Sequence, residues 1–446
     1  MLKVYEDWNT ASGSQNMFQR SVTRSVPGTS NVVIAGATIN SNGNYDIFVQ
    51  KISGSGAVLW SAQYNGVGNG DDVATDIRVA SNGEIYVCGT YYKDATDSSN
   101  AIVLKYGANG NYRWQNIYNG SGSRNDAYAS LLVSGANVYA VGACWSTSNQ
   151  YDMLTSRLDT AGTTLFTTTA DNSGLADGAV SLSARSGSLI VVGGVQSSST
   201  AYKIATWKIN PLTGVIITTT LSSNSSIAID RVNDVQENSS GEVYVAGTVY
   251  DVATGFDYKL FKYDVNLALL WSATWNGAAN LNDGVTGLAI DQYGNVIITG
   301  YTGTAQGYDF ATVKYSNAGV LRWATTFDGG GNDSATCIAI NSTDTNKIYV
   351  SGYSYNGSTN DYWTMRYDGG GNEKWRIGFN SPSDGSDIAC AIALDTLKDV
   401  IVSGQNRIND STYIYTTIKY VEKFVTIPTS SDSAGAAFYF RANRGQ

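Results

Sequence analysis

The chain has 446 residues, 42% hydrophobic and 15% charged, with a formal charge of −9 and an isoelectric point near 4.6. That acidity, with no cluster of Lys and Arg, argues against a nucleic-acid surface, which needs clustered cations to meet phosphate. With no histidine anywhere, imidazole bases, His-based triads and His metal sites are excluded outright.

Forty-eight Gly and 30 Tyr against 4 Pro suit many short strands joined by glycine-rich turns. The start, Met1 to Asp7, has neither the charge nor the apolar core of a signal peptide, and no apolar run reaches the length of a membrane helix. Four cysteines, Cys88, Cys144, Cys337 and Cys390, are far apart and show no metal-like spacing. They read as buried free thiols packed as small apolar groups.

In chain order, the N-terminal segment Met1 to Asn9 reads as a strand that does not belong to the unit following it. After it a unit of about 52 residues recurs eight times. Its first strand, A, carries the apolar column Val22, Ile77, Leu131, Leu182, Val235, Leu288, Ile338 and Ile392. In seven copies strand A opens with an aspartate: Asp72, Asp126, Asp177, Asp230, Asp283, Asp333 and Asp387. A β-branched run, strand B, then ends at Gly36, Gly89, Gly142, Gly193, Gly247, Gly300, Gly352 or Gly404, glycines spaced 51 to 54 residues apart. Strand C carries a basic column of Lys51, Lys105, Arg157, Lys208, Lys262, Lys314, Arg366 and Lys419. Strand D carries Trp60, Trp114, Phe166, Ile217, Trp271, Trp323 and Trp375, and ends five residues later at Asn65, Asn119, Asp171, Ser222, Asn276, Asp328 or Asn380.

Four strands per unit predict an all-β, eight-bladed β-propeller of four-stranded antiparallel blades. There are eight A–B–C sets and only seven D strands between them, so the missing D strand must come from the N-terminus and close the last blade. Val4, Trp8 and Asn9 are matched to Trp271, Trp275 and Asn276 for this role. Blades are expected at about 17–64, 72–118, 126–170, 177–221, 230–275, 283–327, 333–379 and 387–421 plus 1–9. Should the N-terminus not close the ring, Val425 to Ile427 is the preferred last D strand; a seven-bladed ring with a stray eighth unit is the alternative fold. Residues 422–446 depart from the repeat and read as an extension, the start of a further module.

The units resemble the bacterial β-propeller repeat family SBBP through Asp309-Phe310-Ala311-Thr312-Val313-Lys314-Tyr315 and the preceding Gly294-Asn295-Val296-Ile297-Ile298-Thr299-Gly300. That resemblance implies an exported or surface-attached bacterial protein of Bacteroidetes-like origin and transfers no catalytic residues. The glycine turn before Trp375 resembles the tryptophan-docking repeats of quinone-dependent dehydrogenases, but the adjacent cysteines and calcium-binding acids of those enzymes are not found.

The Asp and basic columns repeat almost once per unit, which suits structural roles: the Asp capping turn amides and pairing with the basic column. Asp, Asn and Gly in the D–A loops, as in Asn276 to Asp283 and Asp328 to Asp333, offer oxygens that calcium would accept, yet none has EF-hand spacing. Turn chemistry is the expectation there, and no cofactor, metal site or catalytic residue is assigned. Aromatics just after the strand B glycine, namely Tyr91, Tyr92, Trp145, Tyr250, Tyr301, Tyr353 and Tyr355, share one rim with the D–A loops and form the candidate binding face. The expected function is a non-catalytic, extracellular or cell-surface module for a protein or glycan partner, such as further domains of a larger parent chain or surface machinery. The rival is a carboxylate-dependent polysaccharide lyase or hydrolase in the central funnel, which a cluster of Asp, Tyr and Arg around the axis would mark.

Overall fold

The computed structural model describes residues 2–12 and 22–424, apart from 96–97, 123, 147–149, 173, 186, 223–229, 342–343, 345–346, 383 and 410–411. The expected extension at 425–446 and the alternative strand Val425 to Ile427 lie outside the described residues. No helix occurs among the described residues. The strands form eight four-stranded antiparallel sheets, seven of them made of four consecutive strands. In the eighth, strand Leu2–Ser12 pairs with strand Thr412–Phe424, outside strands Val400–Asn409 and Asp387–Leu394. The chain is an eight-bladed β-propeller whose last blade takes its D strand from the N-terminus.

Burial follows strand position. B strands such as Val32–Ile39 are buried along nearly their whole length, as a run covered on both faces requires, whereas D strands such as Val58–Tyr64 alternate between half-buried and exposed residues. The core lies between blades: Val33, Ile47 and Val49 of blade 1 pack against Ile77, Val87 and Ile102 of blade 2. The contact that makes a ring rather than an arc is the one between blades 8 and 1. There Ile401 and Tyr415 pack on Val32, Ile34 and Phe48, and the Tyr415 hydroxyl accepts from Ala37 N–H at 3.0 Å.

In blades 2 to 8 the glycine that closes the strand B run answers a β-bulge in strand A, whereas Gly36 of blade 1 lies against the Tyr415 ring. The A–B register shifts between Ala74 and Asp76, between Val285 and Gly287, and at the matching point of every later blade. The shift presses a strand A carbonyl onto the glycine, so that a Cβ on Gly300 would meet Gly284 O at 1.9 Å. The bulged residues also bridge blades: Thr75 Oγ1 donates to Tyr128 O at 2.6 Å and Thr336 Oγ1 to Ala389 O at 2.6 Å.

The basic and aromatic columns form a latch. Lys262 Nζ and Trp271 Nε1 both donate to Asn317 O, in the C–D turn of the next blade, at 3.2 and 3.0 Å. Lys51 with Trp60 meets Ala108 O, and Lys105 with Trp114 meets Thr160 O, in the same way. The indole lies on the turn's left-handed glycine: a Cβ on Gly319 (φ 78°) would come 2.8 Å from the Trp271 ring. Blade 8 has no C–D turn, and the Glu422 carboxylate replaces the missing carbonyl, accepting from Arg366 at 2.9 Å and Trp375 at 2.7 Å. The basic column therefore does not pair with the Asp column, which lies at the opposite end of the strands.

Three column assignments shift. Lys208 faces Thr218 rather than Ile217, because the C–D bulge skips one residue before the column position. Ile217 points to solvent, 54% exposed. In blade 1 the position opposite Ile34 is Thr23, not Val22, which pairs with Ala35. At the closure Lys419 pairs with Trp8 and Tyr420 with Glu6, skipping Asp7, just as Lys262 pairs with Trp271 and Tyr263 with Leu269. Trp8, not Val4, thus holds the Trp271 position; the strand is right and the expected register is off by four residues.

Candidate functional site

Each buried aspartate at the start of strand A ties two loops together. Asp283 accepts Gly277 N–H from the D–A loop at 2.7 Å, and Thr302 Oγ1 and Gly303 N–H from the B–C loop at 2.6 and 3.1 Å. Asp72 does the same with Gly66 and Tyr92, and Asp126 with Gly120 and Trp145. The Asp column is structural, and it places the B–C and D–A loops on one rim as expected.

Burial without a cation pushes several of these carboxyls upward, Asp72, Asp177 and Asp387 to about 6, with backbone donors opposing the shift only in part. A folded state that holds protons which the unfolded chain releases near pH 4 gains stability below that pH and loses it as pH rises through about 6. Few carboxyls, among them Asp159, Asp368, Glu84 and Glu242, are held in the opposite direction. The melting temperature is expected to be higher at pH 5 than at pH 7.5, and a scan with its maximum near neutrality would refute this balance.

The seven rim aromatics do not form one face. Tyr91 is 4% exposed and belongs to the core between blades 1 and 2. Tyr92 packs on Gly70, Trp145 on Gly122 and Tyr355 on Gly331, each where a Cβ would collide with the ring. Trp145 also meets Tyr151 edge-on at 4.9 Å and lies under Arg124. Tyr353 is half-buried. Tyr301 also packs on a glycine, Gly284, but it and the more open Tyr250 join residues that the sequence reading did not single out. Tyr250 is 42% exposed and meets Phe256 edge-on at 5.2 Å, with the Arg231 guanidinium 4.7 Å over the Phe256 ring. Tyr301 meets Tyr308 at 4.8 Å, Tyr308 is 38% exposed, and the charge of Arg231 is felt by Tyr301. This patch of four rings and one guanidinium spans blades 5 and 6. Its signal in the sequence was the pair of aromatics opening strand C, Phe256 and Tyr308, which lie opposite Tyr250 and next to Tyr301 across the B–C hairpin.

The axis holds a cavity of about 700 Å³ lined by the A strands. Ionisable groups there break the eightfold pattern. Asp76 accepts Arg78 at 2.6 Å and Arg24 at 3.3 Å on one oxygen, and Ser130 Oγ and Leu131 N–H at 2.9 and 3.1 Å on the other. Asp234, from blade 5, accepts Ser181 Oγ and its neighbour Val235 N–H, both at 2.8 Å, and feels both arginines. Enclosure drives the Asp234 carboxyl above its usual range. Arg24 is 37% open to the channel, and desolvation among the surrounding strands lowers its pKa to about 10. Cys337 and Cys390 also line this cavity rather than packing fully inside, whereas Cys88 and Cys144 are buried free thiols as expected. No tyrosine lines the cavity, so the axial cluster has the Asp and Arg of the rival reading without its Tyr. The sequence reading followed the apolar column and passed over the residues flanking it, where these charges lie.

A scan of protein-family models finds no match to this chain, and a search of curated proteins finds none. Among solved structures it is similar to BamB from Moraxella catarrhalis, at 11% identity over 91% of this chain and 100% of that one, with a TM-score of 0.50. Quinohemoprotein alcohol dehydrogenase from Comamonas testosteroni aligns at 9% identity over 93% of this chain and 76% of its own, with a TM-score of 0.54. Sqt1 from Chaetomium thermophilum aligns at 8% identity over 95% of this chain and 100% of its own, with a TM-score of 0.57. At these identities the likeness supports the propeller fold alone. The resemblance to SBBP repeats rests on the motifs alone.

Proposed function

We propose that the chain is a non-catalytic interaction module that takes a protein or glycan ligand on the loop rim of blades 5 and 6. The observation that carries this reading is the patch of Arg231, Tyr250, Phe256, Tyr301 and Tyr308. Large rings stacked on one another lose little freedom on binding, and Tyr and Arg are the residues that dominate interface energies. Elsewhere the repeat spends its aromatics on packing and its carboxylates on loop amides. The SBBP motifs further support an exported or surface-displayed setting.

Replacing Arg231, Tyr250 and Tyr308 by Ala is expected to abolish capture of the ligand, identified on a glycan array or by crosslinking to the secreted fraction, while the melting temperature holds. The same replacement at Tyr92, Trp145 and Tyr355 should lower stability instead, because those rings cover loop glycines. Binding that survives the first variant would overturn the assignment.

The rival reading, a carboxylate-dependent lyase or hydrolase acting on polysaccharide in the funnel, is favoured by the asymmetric Asp and Arg cluster. The axial carboxylates Asp76, Asp234 and Glu237 are all bonded to neighbouring groups, Asp76 most fully, and among the described residues no tyrosine stands near as a base. The cluster works better as a clasp joining blades 1, 2 and 5 across the channel.

A further inference from the structure

The register of every blade sets three oxygen-bearing residues together on the loop rim. One opens strand C, one ends strand D beside it, and the third is the aspartate that starts strand A of the next blade. In blade 5 the last paired position is Tyr258 with Trp275, so Asp257 and Asn276 face each other just beyond it, and Asp283 N–H donates to Phe256 O at 2.6 Å. In blade 6 Phe310 pairs with Phe327, which sets Asp309 beside Asp328, and Asp333 N–H donates to Tyr308 O at 2.6 Å.

In blades 1 and 7 the acid that opens strand C accepts side-chain amides, whereas Asp152 of blade 3 keeps one buried oxygen without a partner, as Asp257 of blade 5 does. Asp46 accepts Asn40 Nδ2 and Gln63 Nε2, both at 2.7 Å, and Asp361 accepts Asn356 Nδ2 at 3.0 Å. In blade 4 the position is Lys203, 9% exposed, whose charge acts on Asp230. There the chain supplies a cation of its own.

Between blades 5 and 6 it supplies none. Asp257 is 95% buried by its 5% exposure, and only one of its oxygens is served, by Thr254 Oγ1 at 2.8 Å. Its Oδ1 and the Asn276 Oδ1 opposite are both buried without a hydrogen-bond partner, and the charge of Asp283 is felt at Asp257. Two orphaned oxygens facing each other beside a buried carboxylate cost free energy unless a cation meets them. Between blades 6 and 7, oxygens of Asp309, Asp328 and Asp333 also lie within 4.8 Å of one another, but Asp328 is exposed and none of their oxygens is buried without a partner, so that cluster is not marked as a site.

We infer that the loop rim binds one calcium ion between blades 5 and 6, on Asp257, Asn276 and Asp283. Hard oxygens of mixed charge on loop ends suit calcium, which tolerates irregular geometry and water in its shell, better than magnesium, which demands a near-ideal octahedron.

The test is thermal melting of the full chain after chelator treatment, with calcium or magnesium added back, together with terbium luminescence sensitised through Trp275. Calcium is expected to raise the melting temperature by several degrees, as a ligand that binds only the folded state does, and magnesium to raise it much less. In the Asp257→Asn chain the rise and the terbium signal should be lost, while the melting temperature in chelator equals or exceeds that of the parent, because a buried like charge has been removed. No calcium effect on the parent, an effect that survives in the Asp257→Asn chain, or equal stabilisation by magnesium would each overturn the inference.

Discussion

Removal of residues 1–12 is expected to lower the melting temperature by about 5 °C, the shift that several kcal/mol produces in a chain this long, and to cause aggregation. Strand Leu2–Ser12 makes ten register pairs with Thr412–Phe424, from Leu2 with Phe424 to Ser12 with Tyr415. Without it the longest strand of the molecule becomes an exposed edge of thirteen residues, a template for pairing between chains. The loss also reaches the ring contact, since Tyr415 carries the hydroxyl bonded to Ala37. A peptide of residues 1–12 added in trans should restore part of the stability. A truncated chain that melts with the parent would show that the N-terminal strand does not close the ring.

Gly193→Ala is expected to cost more than about 4 kcal/mol, the range reached when backbone itself must move, and Gly194→Ala to change stability by less than about 0.5 kcal/mol, as substitutions clear of such contacts do. The two glycines are neighbours in one strand and differ in a single respect. A Cβ on Gly193 would meet Gly178 O at 2.0 Å and Ala179 Cα at 2.8 Å, whereas a Cβ on Gly194 meets nothing within 4 Å. The strand A carbonyl cannot retreat, because the bulge that pushes it inward also sets the spacing of the innermost ring. Chemical denaturation of the two variants checks this directly, and equal stabilities would remove the bulge as the reason for the glycine column.

The fold was legible because each conserved feature of the repeat has a local physical cause that recurs with it. The strand B glycine follows from the bulge, the aspartate from the two loops it bridges, and the basic and aromatic columns from the shared carbonyl in the next blade. Counting strands was enough to place the N-terminus in the last blade. Register was harder, since bulges insert one residue without a mark in the hydrophobic pattern. That explains why Thr218 replaces Ile217; the moves from Val22 to Thr23 and from Val4 to Trp8 are misalignments of the repeat at its two least regular copies, without a bulge between the paired residues of strands A and B in blade 1.

The candidate site was less legible. An aromatic after the glycine has two fates, covering a loop glycine as Tyr92 and Trp145 do, or standing in the open as Tyr250 does, and residue type alone does not separate them. The axial charges were invisible for another reason. Arg24, Asp76, Arg78 and Asp234 come together only when blades 1, 2 and 5 face one channel, a proximity that no spacing along the chain encodes.

Whether the propeller binds without reacting is tested most directly by incubating the full chain with a panel of polysaccharides and measuring new reducing ends and unsaturated products. The account predicts no product from any of them, even from a glycan that the chain retains on an array. Cleavage that disappears in the Asp76→Asn, Asp234→Asn chain would contradict it and establish the axial cluster as an active site.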